Sequence, residues 1–371
     1  MADNQTSTSA RVITFNCLTP YYAREEWFPG VKPKFLDSKY RLQRLKTLLQ
    51  AWFKVNFIIA LQELNDEWSN IVAEFCKTNN YHFVYSTYSG GVMGVGIAYP
   101  LNHYTLIAQD IFNAPAAARA KVQRMAGVLE TIADNDERNC SLSAERAMKK
   151  MVRSFAAAEN KAFENSMVSI LLRAFSKGAD TEIEFLVSTY HVPCRFTTPL
   201  FMGAQVREVL ARQSESIDSL FPNIDRQSMG LSPPAKIIPI LMADCNITPA
   251  KFEYRVMVGD IEEDLDLQNM GLAYEAIGIP FRPYDRRVSV FVKNTGSEPN
   301  FTNVKFADPN DQNSEDFIET IDYILIPHNA QVEIKSTKLG LTPPEGQPIK
   351  PYPNAICPSD HLPLSASLVV Q

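Results

Sequence analysis

Cys357-Pro358-Ser359-Asp360-His361-Leu362-Pro363-Leu364 sets an acid directly beside a histidine and brackets the pair with prolines and small apolar residues. An aspartate and an imidazole adjacent in a proline-bounded turn suit two jobs. One is an oxygen ligand for a hard metal, the other a ring aimed at the group which that metal holds. Alone, such a pair is more often a surface turn than a site. Four other short polar motifs, each at the end of an apolar strand, are chemically incomplete without it.

The first is the β-branched run Arg11 to Leu18 (RVITFNCL), which carries Asn16 to a Thr19-Pro20 turn. A buried strand delivering an amide at its carboxyl end is a common way to build a site in α/β sheets. Asp37 and Ser38 then cap a helix whose apolar residues Leu45, Leu48, Leu49, Trp52 and Phe53 recur at three and four. Lys39, Arg41, Arg44 and Lys46 read as its solvated face, with a phosphate-binding patch as the sharper alternative. Phe57 to Leu61 (FIIAL) is a second buried strand and ends in Gln62-Glu63. A carboxylate at the tip of an apolar strand needs a compensating cation, so Glu63 reads as a magnesium ligand. A second amphipathic helix follows, and then two paired strands, Tyr81 to Thr87 and Val95 to Tyr99, joined through Gly90, Gly91 and Gly94. No helix follows those glycines, which excludes a dinucleotide loop.

Residues 113–165 change character, being rich in alanine and charge, and read as a helical hairpin inserted between two strands. Its functional reading is a lid or a protein-partner surface; its bland reading is packing. Strands resume at Met167 to Leu172 and Glu184 to Thr189, the second delivering His191. A helix around Val206 to Leu220 leads to the strand Ile237 to Ala243, which hands over Asp244-Cys245-Asn246. In extended chain, residues two apart project to the same side, so one site can receive both polar groups. Lys251 to Asp316 reads as irregular, with Glu262, Glu263, Asp264 and Asp266 as a solvated face. Val288 to Val292 is expected to be a short strand. Thr320 to Ile326 (TIDYILI) is another, with Asp322 inside an apolar run. A buried aspartate needs a donor, and a histidine ring nitrogen is the obvious one. The last strand is Ser365 to Val370.

At 371 residues and 45% hydrophobic content the chain has ample core, for one large or two modest domains. A net charge of −6 excludes the global basic field of sequence-independent DNA binding, so any nucleic acid must be held locally. The six cysteines are scattered, without zinc-ligand spacing, which fits a reducing compartment. Met1 to Ala10 lacks the marks of a signal peptide and is expected to be a disordered N-terminus. No apolar run is long enough to span a bilayer. These features point to a cytoplasmic protein, nuclear as the alternative, with no membrane partner.

Together the strand tips supply Asn16, Glu63, His191, Asp244 with Asn246, Asp322, and Asp360 with His361. Glu63, Asp244 and Asp360 would repel one another in one pocket unless a divalent cation neutralised them. All-oxygen ligation then points to Mg²⁺ or Mn²⁺, one or two ions, rather than zinc.

FNCL, LQEL, STYH, ADCN, IDYI and PSDHLPL, in this order from Val12 to Val370, resemble the endonuclease/exonuclease/phosphatase superfamily of magnesium-dependent phosphoesterases. YRLQRL, FTN at Phe301 to Asn303 and PNAICPSDHLPL look most like the branch of the poly(A)-removing deadenylases, nocturnin and the angel proteins. The resemblance implies a single α/β domain, a four-layer α/β/β/α sandwich of two packed mixed β-sheets flanked by helices, with the site at the sheets' loop ends. It implies metal ligation by Glu63, supported by Asn16 and Asp360. His361, aligned by Asp322, would contact the scissile phosphate, Asp244 with Asn246 would orient and deprotonate water, and His191 would stabilise the phosphoryl oxygens. Phe301 and Phe306 are candidates to stack a base of an RNA substrate, with Asn303 beside them. The implied activity is a 3′-exoribonuclease of deadenylase type acting on poly(A)-like RNA. The alternative is a phosphomonoesterase on a small molecule such as a 2′-phosphodinucleotide or an inositol phosphate, and a non-catalytic binding protein of the same fold is the third reading. Two departures stand out: Cys245 replaces the usual phenylalanine between Asp244 and Asn246, and the usual Thr-His is spread to Thr189-Tyr190-His191.

Overall fold

Strand alternation divides each inner strand between two destinations. Val12, Ile58, Ala60 and Ile97 pack in one core with Ile170, Phe185, Val187, Ile240 and Ile324, while Ile13, Phe15, Ile59 and Leu61 belong to another with Leu45, Leu49 and Trp52. The computed structural model describes residues 8–117, 120, 165–175, 182–194, 199–260, 286–344 and 346–371. One six-stranded sheet contains β1 (Ser9–Asn16), β2 (Ile58–Gln62), β3 (Tyr81–Tyr88), β4 (Met93–Pro100), β13 (Val332–Leu339) and β14 (Leu364–Val370), in the order β13-β14-β1-β2-β4-β3. The other contains β5 (Tyr104–Asn113), β6 (Ser166–Ala174), β7 (Ile183–His191), β8 (Lys236–Asp244), β9 (Arg287–Ser289) and β12 (Asp322–Pro327), in the order β5-β6-β7-β8-β12-β9. Each is mixed, with one parallel pair, β1 with β2 and β7 with β8.

The helices Ser38–Phe53 and Asp66–Thr78 cover the outer face of the first sheet. Pro199–Gln213 and Phe252–Val258 cover the second, where Val206, Val209, Leu210 and Met257 meet Tyr190, Leu241, Tyr323 and Leu325. This is the expected four-layer sandwich. Each fully buried Val, Leu, Ile or Phe side chain contributes about 1.5–3 kcal/mol, so three such cores outweigh any single polar feature in holding the layers together.

Register decides which polar residues meet. Asn16 lies opposite Gln62 on β1 and β2, and His191, Asp244 and Asp322 lie side by side across β7, β8 and β12. Beneath them Gln62 bridges the two sheets: its Nε2 donates to Thr14 Oγ1 at 3.0 Å and to Thr189 Oγ1 at 2.9 Å. A buried amide satisfied from both sheets favours one docking of the sheets over slipped alternatives.

Several local expectations are corrected. Ser9 and Ala10 belong to β1, paired with Val369 and Leu368, so the N-terminal segment expected to be disordered does not extend to residue 10. Val288 to Val292 is split: β9 ends at Ser289, whose side chain accepts from Phe291 N and caps the short helix Val290–Thr295. The region read as irregular holds Phe252–Val258 and β10 (Asn303–Lys305), which pairs with β11 (Phe317–Glu319) in a separate ribbon. Strand β13 is an additional edge strand, with exposed and buried residues mixed along it. Most of the expected insertion at 113–165 and the acidic cluster from Glu262 to Asp266 lie outside the described residues.

Arg41 is the largest departure. It is fully buried rather than solvated, and it sits on the same stripe as Leu45, Leu49 and Trp52. Its guanidinium lies over Trp68, donates through Nε to Pro358 O at 2.7 Å and through Nη2 to Cys17 O at 2.6 Å, and also reaches Leu18 O. One side chain therefore joins the end of β1 to the turn that carries Asp360 and His361. Replacing it by methionine, which keeps the apolar bulk, would leave buried carbonyls unpaired. Arg41→Met is expected to lower unfolding stability by about 3 kcal/mol in urea titration; a loss below about 1 kcal/mol would show that those carbonyls find other partners.

Candidate active site

Asn16 stands at the last position of β1, and its Nδ2 donates both to Glu63 Oε1 at 2.9 Å and to Asp244 Oδ2 at 2.8 Å. The first carboxylate follows a strand of its own sheet and the second ends a strand of the facing one. Glu63 would point outward by alternation, but its backbone is left-handed, with φ +58°, and the turn brings the carboxylate back to where Thr19 N donates to Oε2 at 3.1 Å. A glutamate in this region is strained by roughly 1–3 kcal/mol, a cost found where surrounding structure holds a functional group in place.

Asn246 is also left-handed, at φ +51°, and its backbone N–H donates to Asp244 Oδ1 at 3.0 Å. The two residues thus share a site through a tight turn and not through extended chain. The Asn246 amide donates to Val192 O at 2.8 Å and accepts from Cys194 Sγ at 3.0 Å.

His361 Nδ1 lies 2.8 Å from Asp322 Oδ2, the pairing expected from the apolar run around Asp322. Thr302 Oγ1 donates to the same oxygen at 2.6 Å. The ribbon strand β10 secures the turn: Asn303 Nδ2 donates to Asp360 Oδ2 at 3.1 Å, Val304 N to Asp360 O at 2.9 Å, and Leu362 N to Thr302 O at 2.7 Å. On the opposite side His191 Nδ1 is 2.6 Å from the hydroxyl of Tyr88, and its Nε2 lies 3.7 Å from Glu63 Oε1 and 3.6 Å from Asp244 Oδ2. That Nε2 is buried without a hydrogen-bond partner.

The electrostatics separate the two histidines. Burial lowers the pKa of His191, and His361 adds to the effect against the pull of Asp244. Burial also works against a charged His361, but Asp322, Asp360 and Asp244 together outweigh it and push that ring well above the usual range. Burial and the nearby Asp322 raise Asp244 to about 6, and burial with the added charge of Asp360 raises Glu63. A partly buried and a fully buried carboxylate held close, both inclined to keep a proton, are oxygen donors that fit a divalent cation. Among the described residues, two groups have ligand atoms within 4.8 Å of one another: Glu63, His191 and Asp244, and Asp244, Asp322 and His361. Asp360 belongs to neither, being engaged by Asn303; it faces the same cleft.

That cleft, of about 860 Å³, is lined by Glu63, Asn165, His191, Asp244, Asn246, Asn303, Asp360 and His361, with Tyr22, Trp27, Phe28, Met93, Lys305, Phe306 and Phe317 on its walls. Asn303 and Phe306 are therefore at the site. Phe301 is not among the lining residues and packs against the core beneath the Ser38–Phe53 helix. The roles of Tyr88, Thr302, Arg41, Trp27 and Lys305 are not apparent from the sequence. Arg41 carries a signal, its place on an apolar stripe, and Thr302 lies inside the FTN run; Tyr88 carries none, because its partner is distant in the chain.

No protein-family model and no curated protein matches this sequence. Solved structures do match. ANGEL2, a 2′,3′-cyclic phosphatase, superposes with a TM-score of 0.62 at 13% identity over 99% of this chain and 96% of its own. The human nocturnin catalytic domain with bound sulfate gives 0.53 at 14% identity, over 97% and 94%. An endonuclease/exonuclease/phosphatase family protein from Bacteroides thetaiotaomicron gives 0.51 at 14% identity, over 98% and 99%. The chain has the endonuclease/exonuclease/phosphatase fold. Within that fold it is similar to structures of the angel and nocturnin branch. No helix among the described residues is long and apolar enough to cross a membrane.

A cation-free Asp244 titrating near 6 instead of 3.8 opposes folding as pH rises through that interval, since the folded state holds its proton longer than the unfolded chain does. Above it, the ionised cluster gains most from a cation. Millimolar Mg²⁺ or Mn²⁺ is expected to raise the melting temperature at about pH 7.5 and scarcely at about pH 4.5, and Glu63→Gln is expected to reduce the gain. An equal gain at both pH values, or an undiminished one in the variant, would remove the metal assignment.

Proposed function

We propose that the chain is a divalent-metal-dependent phosphoesterase that hydrolyses a phosphate ester by in-line attack of water. The reading is carried by one observation: Glu63, Asp244 and His361, from distant parts of the sequence, face a single cleft, with the His361–Asp322 contact at 2.8 Å. Phosphoryl transfer needs positioning, charge neutralisation and a proton acceptor, and these residues divide those tasks.

His361, kept cationic by its three aspartates, contacts the scissile phosphate and offsets its charge. Asp322 holds the ring in place through Nδ1. Asp244 accepts the proton from water, and Asn246, bonded through its N–H to Asp244 Oδ1, sets the direction of approach. His191 is neutral, and its free Nε2 is aimed where a phosphoryl oxygen develops charge. Glu63, positioned by the Asn16 amide and sharing the cleft with Asp360, would hold Mg²⁺ or Mn²⁺, which supplies Lewis-acid neutralisation of the phosphate when bound.

For the substrate, the leading reading is the 3′ end of RNA, cut by an exoribonuclease of deadenylase type. The local cation Lys305 and the aromatic wall support it against an acidic net charge. A phosphomonoesterase on a small phosphorylated molecule is favoured by the cleft itself, whose 860 Å³ falls within the range of small-molecule pockets.

Labelled oligo(A) and a panel of phosphorylated small molecules separate these readings. Cleavage is expected to vanish with EDTA and in Glu63→Ala, Asp244→Ala and His361→Ala; wild-type rates in those variants would end the catalytic assignment. Asp322→Asn is expected to lower kcat by about 100-fold or more while KM moves little, because the ring stays but loses its charge partner. An unchanged kcat would refute the pairing.

A further inference from the structure

We infer that the segment following β1 forms a base-stacking platform, in which Trp27 and Tyr22 hold the nucleobase next to the scissile phosphate and Lys305 holds a neighbouring phosphate. The inference rests on the phosphoesterase reading and names its substrate class as nucleotides, including RNA ends, rather than phosphate esters lacking a base.

Large apolar side chains are costly to leave in water, and here three of them fall within seven consecutive positions: Tyr21, Tyr22 and Trp27 are 51%, 37% and 48% exposed. Their exposure is not that of a loose loop. Leu18, Ala23, Phe28, Val31 and Leu36 form a small buried cluster under the segment, and Thr19 Oγ1 donates to Val92 O at 2.7 Å. Tyr22 and Trp27 both line the cleft that contains Glu63 and His361. Their rings meet edge to face, 84° apart with centroids at 6.4 Å, and so make a corner of two flat surfaces.

Lys305 completes the set. Its Nζ lies 5.2 Å from the centroid of Trp27 and 5.8 Å from that of Phe28, and among the described residues it makes no ion pair. It comes from β10, the same short strand that holds Asp360 through Asn303. An ammonium over an indole, beside an anionic reaction centre, suits a ligand that joins a π-face to a phosphate. An acyl chain would use the apolar walls but would leave the ammonium and the ring faces without matching groups.

Trp27 is the one tryptophan with an exposed ring, since Trp52 and Trp68 are 8% and 1% exposed. Titration of the full chain with AMP is therefore expected to quench tryptophan fluorescence, and Trp27→Phe is expected to abolish most of the quench; ribose 5-phosphate should leave the signal unmoved. This readout needs no turnover, so it separates failure of the stacking site from failure of the hydrolytic reading. In turnover, Trp27→Ala is expected to raise KM for oligo(A) by about tenfold or more with kcat nearly unchanged, Trp27→Phe to restore much of it, and Lys305→Ala to raise KM most at low salt. A base-free oligomer of ribose phosphates should be cut equally by wild type and Trp27→Ala. AMP without effect on fluorescence, equal losses on the base-free oligomer, or Trp27-dependent cleavage of an acyl-bearing phosphate ester in place of oligo(A) would overturn the assignment.

Discussion

A single amide nitrogen, Asn16 Nδ2, donates to a carboxylate from each of two facing sheets, Glu63 on one side and Asp244 on the other. The site depends on that contact because two carboxylates in one cleft repel, and loss of solvent together with neighbouring aspartates drives both toward protonation. One donor shared between them holds the pair together but does not neutralise it. The residual demand for positive charge is met in part by the cationic ring of His361 and is the physical basis of the proposed cation site.

Holding such a cluster requires that nearby backbone be fixed, and three of the six left-handed non-glycine residues among the described residues lie there. Leu18, Glu63 and Asn246 are all left-handed without being glycine, and each adjoins or belongs to the site. Arg41 gathers the carbonyls at the end of β1 and in the Pro358 turn around one guanidinium, and Thr302 anchors Asp322 from the side. These contacts do little for the hydrophobic cores. Their effect is to make the positions of a few side chains insensitive to motion in the loops around them.

Two histidines in one cleft acquire opposite character from their neighbours. His361 has three aspartates about it and is held charged; His191 is pushed toward the neutral form by burial and by the charge of His361, with the Tyr88 hydroxyl on one nitrogen. In the proposed hydrolysis the two rings would take complementary parts, the cationic one toward the phosphate and the neutral one toward a developing charge. The aromatic corner of Tyr22 and Trp27 would add what the acid cluster cannot, a surface able to distinguish one phosphate ester from another.

Much of this was legible in the chain itself. Apolar strands ending in Asn16, Gln62-Glu63, His191 and Asp244 announce two buried sheets with polar rims, since strand periodicity and the cost of burying a carboxylate act locally. The Asp322–His361 pair was legible for the same reason: an acid inside TIDYILI must find a donor. What the tertiary structure decided was everything that depends on which side of a distant neighbour a residue meets. Register placed His191, Asp244 and Asp322 in one row; a positive φ turned Glu63 inward; and the packing of one helix buried Arg41. Tyr88, Trp27 and Lys305 join the site through space alone, so short-range pattern in the sequence carries no trace of their roles.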